Sequence, residues 1–226
     1  MKSSTEHAQE KESSNGLIGS DRLKAIADGV FAVAMTLLVL ELVVPEVIHP
    51  SERELINILL SMWPKFLAYV LSFLIAGIFW IVHHTIFDAI RYYNSTLAWI
   101  NIIFLLLVAL IPFTTSLLGE YFLMKTSTVI YGIHLLCMFI VAFSLWTYST
   151  SRQILVTPNL DSITVKGAKR MGYVYFSILS LAIIIAFLNP LISVVIYGLF
   201  VLFILIFTGI GRAEHAFIIP GSKKKK

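Results

Sequence analysis

The sequence predicts an all-α membrane protein with six transmembrane helices per subunit. Three observations carry this reading. Of 226 residues, 58% are apolar and 13% are charged, against roughly 25% charged in an ordinary soluble domain. Six apolar runs reach about 18 residues or more, the length a bilayer crossing requires. Lys and Arg fall very unevenly between the segments that join those runs. One soluble core could not hide so much apolar surface, which argues against a water-soluble globular enzyme. Six crossings of about 20 residues use about 120 residues and leave no room for a second folded domain outside the membrane.

The first run extends from about Leu23 to Val44 and stops before Pro45. The second is long, from about Leu55 to Val82, with Pro64 inside it. The third covers about Leu97 to Leu118 and contains Pro112. The fourth covers about Val129 to Tyr148, the fifth about Tyr173 to Leu188, and the sixth about Pro190 to Ile210. All are continuous rather than alternating and about twice as long as a barrel strand, so they are helices. Pro64 and Pro112 each remove a backbone donor and are expected to kink their helices. Asn189-Pro190 leaves almost no loop between the last two runs, and Pro suits the first turn of a helix, so a tight helical hairpin is expected there. The single cysteine, Cys137, lies in an apolar run and reads as a small buried side chain.

Orientation follows from Lys and Arg. Six spans place the N-terminal tail, the 2–3 and 4–5 loops and the C-terminal tail on one side. Fourteen of the 17 Lys and Arg residues fall there; only Arg53, Lys65 and Lys125 do not. Setting aside Lys223–Lys226 still leaves ten against three. Both termini are therefore expected in the cytoplasm, in the plasma membrane of the cell. The net charge of +4 is a topology signal rather than a nucleic-acid signal. The expected organisation is a polar, disordered cytoplasmic tail at 1–21, a six-helix membrane domain at 22–212 and a basic cytoplasmic tail at 213–226.

Polar groups within apolar runs mark function or internal pairing, because an unpaired one is costly in lipid. The first span holds Asp28 and Glu41, the second Lys65 with His83 and His84 near its end, the third Asn101 and the fourth His134. His84 and Asp88 are four apart and could share one helix face. Two such residues without a third ligand are weak support for a metal. No hydrolase, P-loop or dinucleotide fingerprint occurs. The plainer expectation places His83 and His84 at the cytoplasmic membrane interface, capping or pairing with nearby acidic and amide groups, with Tyr92, Tyr93 and Trp99 as an aromatic belt.

At about 100° per residue, Ile26, Gly29, Val33, Thr36, Leu37, Leu40 and Val44 fall along one side of the first helix. Asp28 lies roughly 130° away. It is expected to face neighbouring helices and to need a partner, with Arg22, His84 and Asn101 the candidates. Thr36 could line a pore or could simply bond back to the Ala32 carbonyl, as threonines in membrane helices commonly do.

The text Arg22-Leu23-Lys24-Ala25-Ile26-Ala27-Asp28 resembles the Arg-x-x-x-Phe-Ser-Asp motif that opens the first helix of the transmembrane protein 175 family of cation channels. Arg and Asp match; Phe-Ser is replaced by Ile26-Ala27, which removes one hydroxyl from the surroundings of Asp28. The stretch Asp28 to Leu42, the His83-His84 region and Ile111 to Tyr121 are similar to the prokaryotic members. The resemblance implies a homotetramer whose four first helices line a central potassium-permeable pore. It implies constricting rings at Val33, Leu37 and Leu40, a selectivity layer at Thr36, and a structural polar network of Arg22, Asp28, His84 and Asn101. The family lacks the TVGYG filter of ordinary potassium channels, and this chain has none. Tyr131-Gly132 and Tyr197-Gly198 lie within spans and do not replace it.

The resulting expectation is a potassium channel of weak selectivity, not an enzyme. It needs no cofactor or metal beyond the permeant K⁺, and its partners are monovalent cations, lipid and three further copies of itself, not nucleic acid. The competing reading is a secondary transporter of a monovalent cation or proton, whose usual signs are broken helices and a midplane carboxylate. An intramembrane enzyme would have only His84 with Asp88 to rest on.

Overall fold

The structure is a computed structural model that describes residues 18–46, 51–151, 155–156 and 162–211. Most of the two expected tails, and Arg152 and Arg212 of the charge count, lie outside the described residues. Helix α1 covers Asp21–Leu37 and tightens into a 3₁₀ turn at Leu38–Glu41. The helix thus ends before the expected Val44: Leu42 leaves helical geometry at φ −88°, ψ 59°, and Pro45 disfavours a helical residue directly before it.

The expected second span is two helices. Helix α2, Glu52–Ser61, starts at an N-cap, Ser51, whose hydroxyl accepts from the Glu54 N–H, and carries Glu52 and Glu54 in its first turn. Both features complement the positive helix start. Helix α3, Trp63–Ala89, follows after Met62 and continues past Val82. Pro64 sits in the first turn of α3, where its missing N–H has no partner to lose. It opens a helix rather than kinking one. Pro112 behaves the same way. Helix α4, Ser95–Ala109, is capped by Asn94, whose Oδ1 accepts from the Leu97 N–H at 3.0 Å. It breaks at Leu110, and α5, Ile111–Glu120, begins with Pro112 in its first turn.

The remaining helices are α6, Lys125–Ser151, α7, Ser162–Leu188, and α8, Pro190–Gly211. The turn into α6 holds Leu123 at φ 67°, a left-handed conformation uncommon for a bulky residue. Only Asn189 separates α7 from α8; its Oδ1 accepts from Ile192 N–H and caps α8, as the expected tight hairpin requires. Among the described residues, five segments are long and apolar enough to cross a membrane: Asp21–Glu41, Trp63–Ala89, Ser95–Glu120, Lys125–Ser151 and Val165–Leu188. Pro190–Ile206 is apolar but shorter.

Two clusters make the core. One joins Leu23, Ala27, Phe31, Ala34 and Leu38 of α1 to Phe87 of α3, Phe104 of α4 and Met138 and Leu145 of α6. The other joins Leu71 and Ile75 of α3 to Tyr131 and Leu135 of α6, Leu179 of α7 and Tyr197 of α8. Helices α3 and α6 contribute to both. Gly132 is required where α6 meets α8, because a Cβ there would overlap the Tyr197 hydroxyl and Ile183. Cys137 is half-buried, not fully enclosed. One small sheet lies before α1: β1, Ile18–Gly19, pairs antiparallel with β2, Tyr92–Tyr93, in the register Ile18↔Tyr93 and Gly19↔Tyr92. Residues 18–20, assigned by sequence to the tail, are therefore tied to the connection between α3 and α4.

Candidate functional site: the unpartnered face of the first helix

Helix α1 has two opposed faces. Leu23, Ala27, Phe31, Ala34 and Leu38 are buried and recur at three- and four-residue spacing, so they form one stripe against α3, α4 and α5. Across the helix, Val33 is 57% exposed, Leu37 42% and Leu40 67%, and Ile26, Gly29 and Thr36 are exposed with them, as is Val44 beyond the helix end. These seven are the residues that helical periodicity placed on one side. In a bilayer protein such a face meets either lipid or another copy of the chain.

Thr36 breaks this apolar surface. Its Oγ1 donates to the Ala32 and Val33 carbonyls, both at 2.9 Å. The hydroxyl proton is thereby shared between backbone acceptors, and the oxygen lone pairs remain free to meet water or a cation. The bond to Ala32 and a role on an open face are thus compatible.

Asp28 sits between the two faces and turns toward α3. Its Oδ1 accepts from His84 Nε2–H at 2.8 Å and from Trp80 Nε1–H at 2.9 Å. Trp80 and His84 are one turn apart on α3 and meet edge to face at 4.8 Å. Asn101 does not reach Asp28. Its Oδ1 accepts from His83 Nε2–H at 2.9 Å. His83 is 2% exposed and Asn101 0%, and the imidazole stacks between Phe87 at 4.3 Å and Phe104 at 5.6 Å. Asn101 Nδ2 has no hydrogen-bond partner among the described residues. Arg22 is exposed and takes no part in these bonds.

The sequence marks Asp28, His83, His84 and Asn101 as polar groups needing partners but gives no such mark to Trp80. The available signal was spacing: Trp80 precedes His84 by four residues on one helix, so both present to the same neighbour. His84 and Asp88, the weak lead for a metal or catalytic site, are engaged separately: His84 by Asp28 at 2.8 Å and Asp88 by Lys24 Nζ at 2.9 Å. No group of three His, Cys, Asp or Glu stands close enough to hold a metal among the described residues.

Other polar groups brace the helices. Lys65 and Glu120 form an ion pair between α3 and α5, where Gly119 lets the backbone of Lys65 approach. The break at Leu110 is closed by α6: His134 Nε2–H donates to the Leu107 carbonyl at 2.9 Å, and its Nδ1 accepts from Thr114 Oγ1 at 2.8 Å. A neighbouring side chain thereby supplies what a broken membrane helix needs. Tyr131 and Tyr197 are buried in helix contacts. Tyr131 shares a 2.9 Å hydrogen bond with Ser72, and the Tyr197 hydroxyl donates to the Thr128 carbonyl at 3.4 Å. Neither tyrosine-glycine pair resembles a filter.

The family model described as "Endosomal/lysosomal potassium channel TMEM175" matches residues 22–112, from α1 to the start of α5. A potassium channel of Streptomyces collinus is 31% identical over 189 residues, covering 81% of this chain and 90% of that protein. The crystal structure of a lysosomal potassium-selective channel TMEM175 homolog from Chamaesiphon minutus superposes with a TM-score of 0.72 at 29% identity, covering 81% of this chain and 95% of that one. An endosomal/lysosomal proton channel TMEM175 of Gallus gallus is 29% identical over 162 residues, 62% of this chain but 32% of that protein.

Proposed function

Because the chain belongs to the TMEM175 family of membrane channels, which are not enzymes, we propose that it conducts K⁺ passively, with weak discrimination against other monovalent cations, through a pore shared by four copies. Each copy contributes six membrane helices, with both termini in the cytoplasm and the assembly in the plasma membrane. One observation carries the reading. The face of α1 opposite its buried stripe is exposed, apolar and interrupted by a single hydroxyl layer, with Val33, Thr36, Leu37 and Leu40 in the positions family resemblance assigns to the pore. One helix per chain cannot enclose a pore, so copies must meet around an axis.

The chemistry of that face fits the task. Rings of Val33, Leu37 and Leu40 offer a hydrated cation nothing in exchange for its water and so act as a dry barrier that opens only by widening. Val33 is the smallest of the three, which leaves Leu37 and Leu40 as the tighter rings. Four Thr36 oxygens, their protons engaged by backbone, offer dipoles to a partly dehydrated ion. K⁺ dehydrates more easily than Na⁺ and is favoured. Mobile hydroxyls discriminate less sharply than rigid stacked carbonyls. Asp28 serves structure in this scheme: it lies away from the pore face and anchors α1 to α3.

A transporter would use a broken helix as its binding site. The break at Leu110 is instead filled by His134 and Thr114, which favours the channel. The test is reconstitution into liposomes with a K⁺ gradient, read at clamped voltage with K⁺, Na⁺ or protons as the only permeant cation. Wild type is expected to pass K⁺ ahead of Na⁺. Thr36→Val is expected to keep flux and lose the preference, and Leu37→Ala to leak. Flux tied to a fixed stoichiometry with a second ion, or proton flux without K⁺ flux, would overturn the proposal.

A further inference from the structure

The start of α1 is fastened to α3 and its following connection along one continuous antiparallel seam. Ile18 pairs with Tyr93 and Gly19 with Tyr92 through backbone. Ser20 Oγ donates to the Ile90 carbonyl at 2.9 Å. Lys24 Nζ meets Asp88 at 2.9 Å, and Asp28 meets His84 at 2.8 Å. As the position on the first strand rises from 18 to 28, its partner falls from 93 to 84. The two side-chain rungs are reversed in polarity: α1 supplies the cation of the first and the carboxylate of the second. Residues 24 and 28, and likewise 84 and 88, are four apart, so each helix presents its pair on one face.

That face is set against the proposed pore surface. On a helical wheel Lys24 and Asp28 lie about 40° apart, with the centre of the Val33, Leu37 and Leu40 stripe about 140° from Asp28. A single rung resists sliding and separation of the two helices but works as a pivot for twist. Two rungs one turn apart, with a strand pair behind them, hold the angle of α1 about its own axis. That angle decides whether the Thr36 oxygen or a neighbouring methyl faces an ion.

We propose that Lys24 and Asp88 are a positioning pair for ion selection: with Asp28–His84 they set the rotation of α1 and so present Thr36 and Leu37 to the pore. The pair touches no ion itself. The inference rests on the proposed reading of α1 as the pore helix. It assigns a role to two residues outside the network expected from sequence.

The test compares the full-length reconstituted protein with Lys24→Gln, with Asp88→Asn and with the exchanged pair Lys24→Asp/Asp88→Lys. Each neutral variant is expected to assemble and to lose about five-fold in K⁺/Na⁺ flux ratio, roughly 1 kcal/mol of differential barrier. The exchanged pair is expected to recover the wild-type ratio. A second readout needs no ion flux: Leu37→Cys in a Cys137→Ser background is modified by a charged, water-soluble thiol reagent, and adding Lys24→Gln is expected to slow that modification. An unchanged ratio and unchanged thiol reactivity in the neutral variants overturn the proposal, as does an exchanged pair that recovers nothing. Failure of the neutral variants to assemble also overturns it, because the pair would then hold the fold rather than the angle. Wild-type protein that passes no K⁺ sinks the pore reading itself and leaves thiol reactivity to decide whether the pair sets rotation.

Discussion

Replacing Asp28 by alanine is expected to damage assembly before it alters selectivity. The carboxylate accepts two N–H donors, from Trp80 at 2.9 Å and His84 at 2.8 Å. A hydrogen bond to a charged group contributes about 1.5–3 kcal/mol in a shielded site. The Asp28 side chain is 47% exposed, so solvent competes and each bond retains only part of that value. A loss of about 2 kcal/mol per subunit follows for Asp28→Ala, with both donors left seeking water beside lipid. For a chain of this size that corresponds to a melting temperature lower by about 4–8 °C. Asp28→Asn keeps one carbonyl oxygen as acceptor and is expected to lose about half as much. The assay is gel filtration for oligomer yield, with thermal melting of the detergent-solubilised protein. Normal oligomer yield and unchanged melting in Asp28→Ala, with selectivity alone altered, would refute the argument and place Asp28 at the ion path.

Gly132→Ala drives a methyl into the Tyr197 hydroxyl and Ile183. It should cost about 1–3 kcal/mol through overpacking, read as a lower melting temperature with no change in ion preference among channels that assemble. His134→Phe keeps the ring but removes the bonds to the Leu107 carbonyl and Thr114. It should cost about 1–3 kcal/mol by the same measurement, and unchanged melting would show that the break at Leu110 needs no brace.

The membrane class and most of the helices were legible because burial against lipid is a local property. A run of about 20 apolar residues declares itself without knowledge of what it packs against. Helical geometry also sets Ala27, Phe31 and Ala34 apart from Val33, Leu37 and Leu40 on α1, but with nearly every residue apolar it was packing that decided which set is buried. What stayed hidden was where a helix stops being continuous. Pro64 and Pro112 looked internal because the apolar text runs past them on both sides. Each instead opens a new helix, after Met62 and after Leu110. At Leu110 the Leu107 carbonyl is met by His134, 24 residues from the break in sequence on α6, which no local window contains.

The partner of Asp28 shows the same division. Sequence reasoning narrowed it to Arg22, His84 and Asn101 because a carboxylate in lipid demands a partner. Three-dimensional packing assigned His84 to it, added Trp80, gave Asn101 to His83 and left Arg22 exposed. The sequence by itself determined that this is a helical membrane protein, which residues of its first helix share a side, and that the carboxylate within that span needs company. Only the tertiary structure decided which groups answer that need. Transfer from water to lipid is summed residue by residue along the chain, whereas a hydrogen bond of 2.8 Å requires two particular helices to lie at one height and one rotation.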